Sequence, residues 1–194
     1  MVRFLLVFLV LFGLSACSAT RDLDEAPVAL GDFKLGHNVV VASKAQMGPL
    51  SRRASEDKIK AAMTGALADR FGRYTGDGLY HLGVSVEGYV LAAPGVPLVV
   101  SPKSVMIINL TVWSDELNKK LNEKPEQIAV IESLGSGAFI GSGYTLSADE
   151  QLTQLSENAA KAIERYLVKN HKNADWFVPG AAPQPPYEAP DEES

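Results

Sequence analysis

Residues 147–169 read SADEQLTQLSENAAKAIERYLVK and constrain the fold more than any other stretch. Ser147 followed three positions later by Glu150 is a capping box, in which the serine accepts from the N3 amide and the glutamate reaches back to the cap amide. Leu152, Leu155, Ala159, Ile163 and Leu167 then recur at helical spacing, so one stripe of a helix ending near Lys169 must be buried. A second such stripe, Ile59, Met63, Ala66, Leu67 and Phe71, follows a cap at Ser55 with Glu56 and Asp57 in the first turn. Gly72 and Gly76 end that pattern.

Four segments supply the surface these stripes need. Residues 38–43 (NVVVAS) are short and β-branched, and Gly48-Pro49 follows as a break. Residues 80–91 alternate, with Leu82, Val84, Val86 and Val90 on one face and His81, Ser85, Glu87 and Tyr89 on the other. Residues 105–113 (VMIINLTVW) are apolar on the face of Met106, Ile108, Leu110 and Val112 and mixed on the face of Trp113, which suits a central strand. Residues 127–133 (QIAVIES) make the fourth strand. The order β-α-β-β-β-α predicts an α+β domain: a mostly antiparallel four-stranded sheet with two helices on one face.

The start of the chain is of another kind. Arg3 precedes an apolar run over residues 4–14 (FLLVFLVLFGL). About eleven residues rise only about 16 Å as a helix, against the roughly 30 Å of a hydrocarbon core, so the run reads as an export signal rather than a span. It ends in Leu14-Ser15-Ala16-Cys17, and Cys17 is the only cysteine of the 194 residues, so it has no internal disulfide partner. This stretch resembles the lipobox of bacterial lipoproteins. The resemblance implies a signal peptide over residues 1–16, lipid transfer to Cys17, and anchoring by several acyl chains where one chain would be marginal. Ser18, rather than Asp, follows the cysteine, which in that family favours the outer membrane; inner-membrane anchoring stays open because the rule varies among bacteria. The element order also resembles small auxiliary lipoproteins of ABC-type transport and accessory lipoproteins of outer-membrane assembly in Gram-negative bacteria, which implies an adaptor that binds an envelope protein in the periplasm.

Four regions follow: a signal peptide (1–16), a lipidated terminus and flexible tether (17–35), one globular domain (36–177), and a Pro-rich acidic tail (178–194) expected to be disordered. A net charge of −5 argues against nucleic acid as a partner. The run Gly135-Ser-Gly-Ala-Phe-Ile-Gly141 loosely matches a dinucleotide loop, but the capped helix starts too far downstream and no strand follows it, so no nucleotide site is expected. Phe139 and Ile140, between those glycines, either plug the core or dock on a partner. Tyr89 and Trp113 are expected to form an aromatic patch on the helix-free face of the sheet, if they are cross-strand neighbours.

His37, His81 and His171 are the only histidines, and none has another ligand at metal-binding spacing. There is no G-x-S-x-G, so no catalytic residue, metal or cofactor is expected and the chain reads as a non-enzyme. Two rivals to the adaptor remain. A carrier for a lipid or other apolar ligand would need a cavity near Met63, Phe71, Leu155 or Phe139. An envelope enzyme would need a polar cleft joining a serine or carboxylate to His37 or His81. The lipid anchor makes a direct prediction: Cys17→Ser should move the protein from the membrane to the soluble fraction, and full retention there would refute it.

Overall fold

The computed structural model describes residues 21–93, 104–131 and 146–188. Within them the protein is a mixed α+β fold. The elements are α1 (Arg21–Asp24), β1 (Lys34–Val41), β2 (Gln46–Met47), α2 (Glu56–Phe71), β3 (Leu79–Val90), β4 (Val105–Ser114), β5 (Lys119–Lys120), β6 (Glu126–Ile131) and α3 (Ala148–Asn173). Strands β3 and β4 pair antiparallel along most of their length, and β6 adds to β4 antiparallel. On the other side β1 and then β2 pair with β3 in parallel.

The sheet of the described residues is therefore mixed and six-stranded: most of its pairing is antiparallel, as the element order predicts, but it has two strands more than the four expected, and β1 and β2 lie parallel to β3. The reason is the helix between β1 and β3. A helical crossover returns the chain to the same end of the sheet, so the second strand runs parallel to the first. Strands β2 and β5 have two residues each, too few to leave an alternation in the sequence. Between β5 and β6, Asn122 does the work of a missing strand residue: it accepts from Val112 N–H and donates to the Leu110 carbonyl, both at 2.8 Å.

Both long helices cover one face of the sheet. The capping box read from the sequence is formed where expected: Ser147 accepts from Glu150 N–H at 3.1 Å, and the Glu150 carboxylate accepts from Ser147 N–H at 2.7 Å. Lys58 pairs with Asp149 near the start of each helix, and Arg70 pairs with Glu164 farther along, so α2 and α3 run side by side in the same direction. Their stripes meet the alternate residues Leu82, Val84, Val86, Met106, Ile108, Leu110 and Val112 in one apolar cluster.

That cluster begins before residue 36 and continues past 177. Leu30 and Phe33, assigned to the tether from sequence, are completely buried. Phe33 is the hub of an aromatic group, with ring centroids 5.1 Å from Phe177, 5.5 Å from Tyr80 and 5.6 Å from Tyr74. The approach requires Gly31, whose φ of +65° disfavours a side chain and where a Cβ would lie 2.6 Å from the Phe177 carbonyl oxygen. Two apolar residues with no period around them gave no sign of this burial.

Residues 178–188, expected to be a disordered tail, are largely exposed but are tied to the domain by hydrogen bonds. Trp176, wholly buried, donates its indole N–H to the Gln184 carbonyl at 2.9 Å. Gln184 N–H donates to Ala174 O at 2.8 Å, and Tyr187 N–H donates to the buried Asn170 Oδ1 at 2.7 Å. Lys169 sits 4.9 Å from the Tyr187 ring centroid. The composition pointed to disorder because it buries little, but buried polar groups on and beside α3 need partners and this segment supplies them. Residues 189–194 lie outside the described residues.

The helices are also joined by charge. Arg70 donates to Glu164 and to Asp22, each at 2.8 Å, and Lys161 reaches Asp22 at 2.7 Å. Tyr74 donates to the other Glu164 oxygen at 2.8 Å. Burial, followed by that hydrogen bond to a carboxylate, pushes the Tyr74 hydroxyl pKa well above the usual tyrosine range. Burial opposes ionisation of Asp22, but the hydrogen bonds and charges of Arg70 and Lys161 outweigh it and hold its carboxyl below 3.8.

Two outcomes are expected. Deleting residues 182–194 leaves the Trp176 indole and Asn170 without these partners; at about 1 kcal/mol for each of two hydrogen bonds, the melting temperature should fall by roughly 4–8 °C. Asp22 has a lowered folded-state pKa, so its contribution is fully present above the unfolded value near 3.8 and is lost as pH falls through the folded value. Urea denaturation should therefore find Asp22→Asn less stable than the parent at neutral pH, with the gap closing on acidification below about 4.

Candidate functional site

The helix-free face of the sheet is built in rows set by the strand register. Val90, Val105 and Ile131 form one row across three strands, and Gly88, Ile107 and Ala129 the next. Val41, Ser85, Asn109 and Gln127 follow, then Val39, Gly83 and Thr111, and finally His81, Trp113 and Lys120. None of these residues is fully buried, whereas nearly every β3 and β4 side chain on the opposite face is. Val39 is 60% exposed, Val41 48% and Ile131 55%. The face is thus apolar at one end and along the β1 edge, and polar through its centre.

The two aromatic residues singled out from sequence are not neighbours here. Tyr89 pairs with Met106 at one end of the sheet, and Trp113 pairs with His81 at the other. A bulge between Val86 and Gly88 adds one residue, Glu87, to β3. The extra residue reverses the alternation beyond it. Tyr89 consequently points into the core, and Val90 moves to the open face. The Tyr89 hydroxyl donates to Ala54 O and accepts from Ala54 N–H, both at 3.2 Å, tying β3 to the segment before α2. Trp113 stays on the open face, half-buried. Cys17, Phe139 and Ile140, and the whole glycine-rich run 135–143, lie outside the described residues.

Beneath the helices, Met63, Phe71 and Leu155 are completely buried within the continuous apolar cluster. Two grooves lie elsewhere. One, of about 780 Å³, runs between residues 119–126 and the C-terminal segment, with Lys119, Lys120, Lys124 and Lys169 facing Glu126 and Glu188. The other, about 270 Å³, lies beside Tyr80, Leu117, Leu121 and Phe177. Neither reaches the space between sheet and helices.

Sequence spacing missed one constellation. His37 on β1 and His81 on β3 meet, with their Nδ1 atoms 3.1 Å apart and ring centroids 4.9 Å apart. His37 N–H donates to His81 Nδ1 at 2.9 Å, and His81 Nε2 lies 3.5 Å from Asp115 Oδ1. Among the described residues no serine hydroxyl hydrogen-bonds either imidazole. Only the β1–β3 register brings the pair together, and no spacing within a single element could have revealed it.

No protein-family model matches the chain, and no curated protein matches it in sequence. Solved structures overlap it in part. A protein of domain family DUF330 from Xanthomonas campestris is 12% identical, with a TM-score of 0.43, covering 77% of this chain and 94% of that one. A candidate lipoprotein from Caulobacter crescentus is 12% identical, with a TM-score of 0.38, covering 67% and 86%. A minor lipoprotein from Acinetobacter baumannii is 14% identical, with a TM-score of 0.31, covering 70% and 94%. At these scores the overlaps carry no function to this chain.

The placement of Tyr89 has a direct check. Tyr89→Phe should cost about 1 kcal/mol in chemical denaturation, because two backbone groups of Ala54 lose their partner; unchanged stability would mean that the hydroxyl is free in solution.

Proposed function

We propose that this chain is an envelope lipoprotein acting as a non-catalytic adaptor. Lipid on Cys17 holds it at the membrane, the outer membrane being favoured by Ser18, and the open sheet face binds an envelope protein. No helix of the described residues is long and apolar enough to cross a membrane. The observation that carries the adaptor reading is the open face itself. Val39, Val41 and Ile131 are exposed on it, and the half-buried Val90, Val105 and Ile107 extend it at one end. Apolar residues grouped on one face mark interaction surfaces more often than isolated ones do.

The carrier reading is the weaker one: of the side chains expected to border its cavity, Met63, Phe71 and Leu155 are completely buried in the apolar cluster, and Phe139 lies outside the described residues. Tethering raises the effective concentration of the domain at the membrane, so a modest interface suffices.

The test uses the double variant Val41→Glu, Ile131→Glu, whose positions are exposed enough to accept charge without unfolding. Affinity capture from detergent-solubilised envelopes should lose the partner that the parent retains, at an unchanged melting temperature. Equal recovery by parent and variant would remove this face as the interface. Saturable binding of a fluorescent fatty acid by both proteins would favour the carrier instead.

A further inference from the structure

The His37–His81 pair has a geometry that packing alone does not require. His81 Nδ1 accepts the His37 backbone N–H at 2.9 Å. A nitrogen that accepts carries a lone pair, so the proton of a neutral His81 ring sits on Nε2, which faces Asp115 Oδ1 at 3.5 Å. His37 Nδ1 faces the same His81 nitrogen at 3.1 Å. Two imidazole nitrogens this close need a proton or a cation between them, and the His81 lone pair is already shared with a backbone donor. The rings are held there by β1 backbone: at Gly36 a Cβ would lie 2.5 Å from His81 Cε1 and 2.7 Å from its Nδ1, so a bare glycine is what lets the His81 ring lie against the strand.

We propose that His37 Nδ1 and His81 Nδ1 are the two protein ligands of a zinc-class divalent cation, with water completing its shell. Two imidazole nitrogens at roughly 2.0–2.1 Å from a tetrahedral zinc stand about 3.3 Å apart. The observed separation is 3.1 Å. Asp115 Oδ1 lies 3.5 Å from the far nitrogen of His81, so a carboxylate stands behind the proposed ligand. Binding displaces the His37 N–H from His81 Nδ1. No group of three or more His, Cys, Asp or Glu side chains among the described residues is placed to hold a metal. The site is therefore a two-ligand, water-completed one on the surface of the β1–β3 pair, open to exchange, and not a closed structural centre. Trp113, directly across from His81, borders it. This inference is independent of the adaptor reading.

The experiment titrates the full chain with zinc chloride, in the Cys17→Ser background as well as the parent so that a thiol is not counted as a ligand. Calorimetry should show one equivalent bound, and the imidazole Cε1–H resonances of His37 and His81 should move while that of His171 does not. His171, on α3 and outside the pair, is the internal control for zinc held by a lone imidazole. His37→Ala, at an exposed position that preserves the fold, should weaken binding at least tenfold, and Asp115→Asn, which removes the charge behind His81, by a smaller factor. The proposal is overturned if zinc leaves both resonances in place, or if His37→Ala binds as tightly as the parent.

Discussion

Glu164 lies on the face of α3 that packs against α2, and its charge must be answered there. Arg70 meets it with a side chain only 6% exposed against 8% for the glutamate, while Tyr74 donates to its second oxygen. A buried pair of this kind adds little over well-packed apolar residues, but removing one partner leaves a charge stranded at a cost of about 3–5 kcal/mol. Its effect is therefore one of register. Any slip of α2 along α3 would separate the pair. Because Arg70 also holds Asp22, the same constraint places the segment before β1. Arg73 adds to it by donating to the Leu23 and Glu25 carbonyls. The chain that leads into the domain is thus clamped across both helices before it enters the sheet.

With the helices in register, the sheet beneath them can have only one buried face. The buried side chains of β3 and β4 are apolar from Leu82 to Val86 and from Met106 to Val112, and their alternates make the open face. The bulge at Glu87 changes which residues belong to which face beyond it. It sends Tyr89 inward to hold the start of α2 and turns Val90 outward beside Val105 and Ile131. One inserted residue thereby both locks the helix to the sheet and enlarges the apolar end of the surface proposed for a partner.

The two ends of the open face differ in chemistry. The end at Val90, Val105 and Ile131 is apolar and suits protein contact, while the end at His81, Trp113 and Lys120 holds the paired imidazoles. Both depend on β1 lying parallel to β3, since that register sets Val39 and Val41 beside the apolar rows and His37 beside His81.

What the sequence alone determined is what local chemistry controls. The capping box at Ser147, the stripes of both long helices, the β4 alternation, that of β3 as far as Val86, and the class of the fold are written in residues within a few turns of each other, so periodicity and cap chemistry suffice to read them. Tertiary structure decided the rest. Phe33 and Leu30 look like tether residues because an isolated hydrophobe carries no period, and only Phe177 and Tyr80, far along the chain, show that they are core. The parallel placement of β1, the inward turn of Tyr89 and the meeting of His37 with His81 each hang on pairing between segments distant in sequence. A one-residue change in strand register reverses every side chain past it, and no composition or spacing within a single strand records which register its neighbour adopts.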